Sequence, residues 1–179
     1  MTDATIRPSR DDDMDALTGI YRHHVLHGTA SFETEAPDRD EMIRRRADLV
    51  GRGMPHLVLE QQGTVRGYAY AGPYRPRAAY RDTVENSVYL APDAIGLGFG
   101  RCLLEALIAA CTDLGLRQMV AVVGDSGNLP SIRLHERLGF HRVGTLQAVG
   151  FKHGRWLDTV LLQRALGPGD TTRPNLRAE

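Results

Sequence analysis

The stretch VYLAPDAIGLGFGRCLLEAL, from Val88 to Leu107, constrains the fold more than any other part of the chain. It begins as a strand, passes through Gly96, Gly98 and Gly100, and ends as an apolar-striped helix. Glycine lets backbone approach a ligand without a Cβ in the way. The helix that follows aims free N–H groups and the positive end of its dipole at that ligand, so the turn can hold a diphosphate by backbone donors alone. A tight turn that only packs helix on strand would carry the same glycines, and 19 glycines in the chain make the spacing a weak signal by itself. A dinucleotide fold needs the motif after the first strand, with an acidic residue about 20 positions later. Here the motif falls mid-chain, and Asp125 lies 27 residues beyond Gly98. A nicotinamide enzyme is therefore the lesser reading.

The flanking sequence predicts the remaining elements. TIRPS reads as a short strand, and Asp11, Asp12 and Asp13 are cap candidates for a helix with Met14, Leu17, Ile20, Tyr21 and Val25 at helical spacing. Asp38 and Glu41 resemble a capping box before a second helix that stops at Gly51 and Gly53. HLVLE and VRGYAYA form a hairpin about QQG, and TVENSVYL is the next strand, after the proline-rich loop GPYRPRAAYR. A helix from about Arg101 to Leu114 is followed by QMVAVV, apolar enough to be buried on both faces. The helix LPSIRLHERL and two closing antiparallel strands complete the order. This is a mixed α/β sheet with helices on both faces.

A chain of 179 residues suits one domain, expected over 1–166, with a flexible tail at 167–179. Twenty-two basic and 22 acidic residues leave no net charge, which argues against a nucleic-acid binder that relies on bulk charge. No apolar run approaches the ~20 residues of a membrane helix, and the polar N-terminus has no signal-peptide core. No membrane or nucleic-acid partner and a cytoplasmic location are expected. Cys102 and Cys111 read as small core residues. His23 and His27 share a helical face, but no carboxylate or cysteine completes a metal set, so no metal is expected.

Glycine turn, helix, buried strand, then Asn128, a helix and the LGF joint together resemble the GCN5-related N-acetyltransferase (GNAT) superfamily. GPYRPRAAYRDTVENSVYL, SIRLHERLGF and GFKHGRWLDTVLLQ are similar to its phosphinothricin and methionine-sulfoximine acetyltransferase branch, and the resemblance covers roughly Thr5 to Arg164. It implies the GNAT fold, a mostly antiparallel mixed sheet with a splayed strand pair that admits the pantetheine arm of acetyl-CoA. It also implies a homodimer. The reaction implied is acetyl transfer from acetyl-CoA, the co-substrate, to the α-amino group of a small amino acid such as L-phosphinothricin, methionine sulfoximine or methionine sulfone. The amine attacks directly in a ternary complex.

By the resemblance, Gly96, Leu97, Gly98, Phe99, Gly100 and Arg101 form the diphosphate turn. Val88, Tyr89 and Leu90 pair with pantetheine, and Asn128 bonds the thiol region. Ile95 and Leu97 stand where relatives often carry basic or amide side chains, which predicts weaker acetyl-CoA binding. Strand alternation turns Glu85 away from the face of Val84 and Val88, and a carboxylate there suits a base for the protonated amine. The resemblance makes Glu85 that base and sets His135 near the departing sulfur, as acid or as orienting group. Acceptor contacts are expected from Phe32, Glu33, Tyr74, Arg75, Pro76, Tyr80 and Lys152, with Arg75 the best match to an acidic group. A catalytically silent acetyl-CoA sensor of the same fold is the rival reading; Ile95 and Leu97 favour it, while Glu85 and His135 oppose it.

Overall fold

Pairing between β4 (Thr83–Leu90) and β5 (Gln118–Gly124) is the only parallel contact in the seven-stranded sheet formed by the described residues. The computed structural model describes residues 4–174. The other strands are β1 (Ala4–Pro8), β2 (His56–Gln61), β3 (Thr64–Pro73), β6 (His141–Lys152) and β7 (Arg155–Ala165). Their order across the sheet is β1-β2-β3-β4-β5-β7-β6, with every other neighbour antiparallel. The helices are α1 (Met14–His27), α2 (Arg39–Gly51), α3 (Phe99–Asp113) and α4 (Leu129–Arg137). The element order and the layered mixed sheet agree with the sequence reading.

The composition of β3 explains the two layers. Its GYAYA run alternates small and aromatic residues. Ala69 and Ala71 join the core with α3 and α4, whereas Tyr68 joins the core with α1 and α2. Gly67 is required by close approach: a Cβ there would press on the Leu90 side chain and the Tyr89 carbonyl. The β2–β3 hairpin turns through Gln62 and Gly63, both at positive φ, as a type I′ turn demands.

Several details differ from expectation. Asp13 does not cap α1; its carboxylate receives both terminal nitrogens of Arg7 at 2.8 Å and the Arg10 N–H at 2.6 Å, and the Arg7 guanidinium holds it below the usual carboxylate range. Asp38 does cap α2 through Glu41 N, but the Glu41 carboxylate turns to Arg44 and Arg45 instead of completing the box. Cys111 is buried, and burial pushes its thiol up to about 12, whereas Cys102 is exposed. Val122, expected in a strand buried on both faces, is 38% exposed; there β5 still pairs with β7 but its ladder to β4 has ended. The expected tail lies partly within the described residues: Arg117 donates to the carbonyls of Gly169 and Thr172, holding that segment near β5. Residues 175–179 fall outside them.

Candidate active site

The parallel ladder between β4 and β5 runs only from Thr83–Gln118 to Asn86–Ala121. Beyond that pair the strands part, while β4 stays paired to β3 as far as Leu90. The outer backbone of Ser87 to Leu90 is thereby left without a neighbouring strand. The resulting cleft has a volume of about 1290 Å³ and runs from the glycine turn to the loop between α1 and α2. Val88, Tyr89 and Leu90 line one wall, and Val122, Val123 and Gly124 the other. His24 donates from Nε2 to the Leu90 carbonyl at 2.8 Å.

The three glycines of the turn act differently. Gly96 and Gly98 have φ of 86° and 84°, which side chains rarely adopt, and Gly98 stands at the N-cap of α3 without any capping side chain. The first N–H groups of α3 are thus left for an anion, and no acidic residue occupies its first turn. Gly100 is buried against Leu134 and Leu90. Gly96, Gly98, Gly100 and Arg101 line the cleft. Arg101 spends its Nε on Glu105 at 2.8 Å. Ile95 and Leu97 are 58% and 57% exposed, and Phe99 is a core residue. Arg133 and Arg137, one turn apart on α4, also line the cleft, a source of positive charge not singled out in the sequence.

Glu85 lines the cleft on the α1/α2 side of β4. Burial lifts its carboxyl above the usual range, and the nearby Arg75 guanidinium acts in the opposite direction. Tyr70, a neighbour missed in the sequence, lines the same end. On the other face His135 is 4% exposed. Its Nδ1 lies 2.8 Å from the Ser131 carbonyl oxygen and its Nε2 2.9 Å from Asn86 Nδ2. Helix backbone and a strand residue thus both hold the imidazole. Asn128 caps α4 through Ser131 N at 3.4 Å and also lines the cleft.

At the acceptor end, Phe32 and Glu33 line the cleft. Glu33 receives the Tyr21 hydroxyl at 2.8 Å and Arg45 at 2.6 Å. A Cβ at Gly150 or Gly124 would collide with the Phe32 ring, so two glycines make its seat. Lys152 does not line the cleft; it is buried beneath this loop, with Nζ donating to the Ser31 carbonyl at 2.7 Å. Tyr74, Arg75, Pro76 and Tyr80 belong to the β3–β4 loop outside the cleft wall, with the Arg75 guanidinium over the Tyr74 ring and Tyr74 edge-on to Tyr80. His23 packs against His27, their ring centres 5.0 Å apart.

This architecture has close counterparts among known proteins. Residues 18–140 match the model of the acetyltransferase (GNAT) family. The chain is 58% identical over 170 residues to phosphinothricin N-acetyltransferase of Alcaligenes faecalis, covering 95% of this chain and 86% of that protein. It is 41% identical over 162 residues to the L-methionine sulfoximine/L-methionine sulfone acetyltransferase of Salmonella typhimurium, covering 90% and 94%. The crystal structure of a phosphinothricin acetyltransferase from Sinorhizobium meliloti in complex with AcCoA superposes with a TM-score of 0.95 at 47% identity, over 98% of this chain and 95% of that one.

Proposed function

The chain belongs to the GNAT acetyltransferase family, and from that premise we propose that it transfers acetyl from acetyl-CoA to the α-amino group of a small amino acid. L-phosphinothricin, methionine sulfoximine and methionine sulfone are the acceptors we assign, on the names of its relatives. The observation that carries the reading is the fork between β4 and β5, with a half-buried carboxylate on one face and an uncapped, glycine-led helix N-terminus at its end.

In this reading the coenzyme's diphosphate rests on the N-terminus of α3, and its pantetheine arm lies between β4 and β5 along the edge of Val88 to Leu90 that faces away from β3. The fit is chemical: glycines at positive φ, unpaired N–H groups and no competing carboxylate. The acceptor enters beside Phe32, Glu33 and Tyr70. Most amino groups are protonated near neutral pH, so a base must free the lone pair. Glu85, with its raised affinity for protons, takes that role directly or through water. Free backbone N–H groups of β4 polarise the thioester carbonyl. Arg75, set over Tyr74 at the loop above, meets the acceptor's acidic group.

We further propose a cytoplasmic homodimer joined through the β6–β7 face, where Val149, Phe151 and Trp156 are 52%, 59% and 64% exposed.

Thiol release from acetyl-CoA, with each of the three acceptors, tests the reaction. Turnover is expected on at least one of them, and Glu85→Gln is expected to lower kcat about 10²–10⁴-fold, the usual contribution of a positioned base. Acetyl-CoA binding without turnover on any amine would leave the sensor reading in its place.

A further inference from the structure

Asn86 and His135 meet where β4 and β5 part, at 6% and 4% exposure. The Ser131 carbonyl can only accept a hydrogen bond, so the His135 nitrogen 2.8 Å from it, Nδ1, carries hydrogen. A neutral imidazole then presents a lone pair at Nε2, and burial favours that neutral form. Asn86 Nδ2, 2.9 Å away, donates to this lone pair. The carboxamide orientation follows, because turning it over would set oxygen against a lone pair. Its Oδ1 is left buried, with no hydrogen-bond partner among the described residues. Leaving a buried carbonyl oxygen unpaired costs free energy, and such atoms in native proteins call for an explanation.

The position of Asn86 supplies one. Asn86–Ala121 is the last pair before the gap. Asn86 shares its face of β4 with Val84 and Val88, the α3/α4 side, and Glu85 lies on the other face. A thioester in the gap would have the base on the acceptor side and Asn86 on the side of the leaving sulfur. His135 has no N–H left for that sulfur, since one nitrogen donates to Ser131 and the other accepts from Asn86.

We propose that Asn86 contacts the leaving group: His135 holds its carboxamide so that Oδ1 accepts the S–H of the coenzyme A thiol as product forms. The inference rests on the acetyl-CoA reading above. In the step, the C–N bond forms, the C–S bond breaks and its electron pair stays on sulfur. One proton lost from the attacking amine, through Glu85 and solvent, ends on that sulfur, so no further reactant is needed. Asn86 is then a catalytic residue by contact, and His135 a positioning residue that acts through it.

Calorimetry with coenzyme A, S-methyl-coenzyme A and acetyl-CoA separates this role from a structural one. The wild-type enzyme is expected to bind coenzyme A about fivefold more tightly than its S-methyl analogue, a modest preference because S–H is a weak donor. Asn86→Leu, and Asn86→Ala as a second variant, are expected to abolish that preference by weakening coenzyme A alone. His135→Gln offers Asn86 another acceptor and preserves the preference, whereas His135→Leu frees the carboxamide and loses it. Equal losses for all three ligands in Asn86→Leu and Asn86→Ala, or an unchanged preference, would overturn the proposal. Failure of the wild-type protein to bind any of the three would instead remove the acetyl-CoA reading on which it rests.

Discussion

Burial raises the proton affinity of Glu85, and the Arg75 guanidinium opposes that effect. The sign of the consequence follows from the role proposed for Glu85. A base works ionised, so kcat/KM rises as pH rises through its pKa. Removing Arg75 takes away the group that favours the charged form, so the acidic limb of the kcat/KM profile of Arg75→Leu is expected to move to higher pH. Arg75→Lys is expected to hold it near the wild-type position. Because Arg75 is exposed, added salt should shrink the difference. A limb that stays put in Arg75→Leu at low salt would show that this guanidinium does not act on the base. The face that Glu85 takes was legible in the sequence, because strand alternation separates it from Val84 and Val88; its role as base came from the resemblance alone. Asn86 was not legible. A lone asparagine in a strand has no periodic signature, and its meaning comes from a histidine 49 positions away. The burial of Lys152, expected among the acceptor contacts, was illegible for a related reason: the Ser31 carbonyl that holds it lies 121 positions away.

The glycine turn and α4 share the handling of charge at the other end of the cleft. The turn itself offers apolar Ile95 and Leu97, and Arg101 is drawn to Glu105 along its own helix. Arg133 and Arg137, on one face of α4, have no ion-pair partner among the described residues and border the same cleft. Replacing both with alanine is expected to raise the KM for acetyl-CoA about two- to fivefold, the range for exposed charges, with kcat nearly unchanged. Adding Ile95→Arg to that variant should recover part of the loss. Initial rates at two ionic strengths check it, and a KM indifferent to both changes would mean that backbone donors alone hold the diphosphate. Helix order and helix ends were legible because caps and apolar spacing are local. The seat of Phe32 was not, because Gly124 and Gly150 are brought against that ring only when β5 and the β6–β7 hairpin meet the α1–α2 loop.

At the scale of the whole molecule, the sequence reading supplied the element order and the mixed sheet but not the strand order, because β7 slots between β5 and β6 and only packing decides that. The same placement leaves β6 at the sheet edge, with Val143, Leu146, Val149, Phe151 and Trp156 of the pair exposed. Phe151 and Trp156 stand across the strands, edge-on at 5.3 Å between ring centres. An apolar edge of this kind invites a second sheet, and natural monomers usually blunt such edges with charge or proline. A dimer through this face would bury the two aromatic rings at the interface centre, where such residues carry most of the binding energy. Trp156→Asp combined with Val149→Asp is therefore expected to convert the protein from dimer to monomer by sedimentation equilibrium. The wild-type Tm should rise with protein concentration, and that dependence should vanish in the double variant, because association stabilises only the folded partner. A wild-type protein that sediments as a monomer would remove the dimer. A double variant that stays dimeric would move the interface away from β6 and β7.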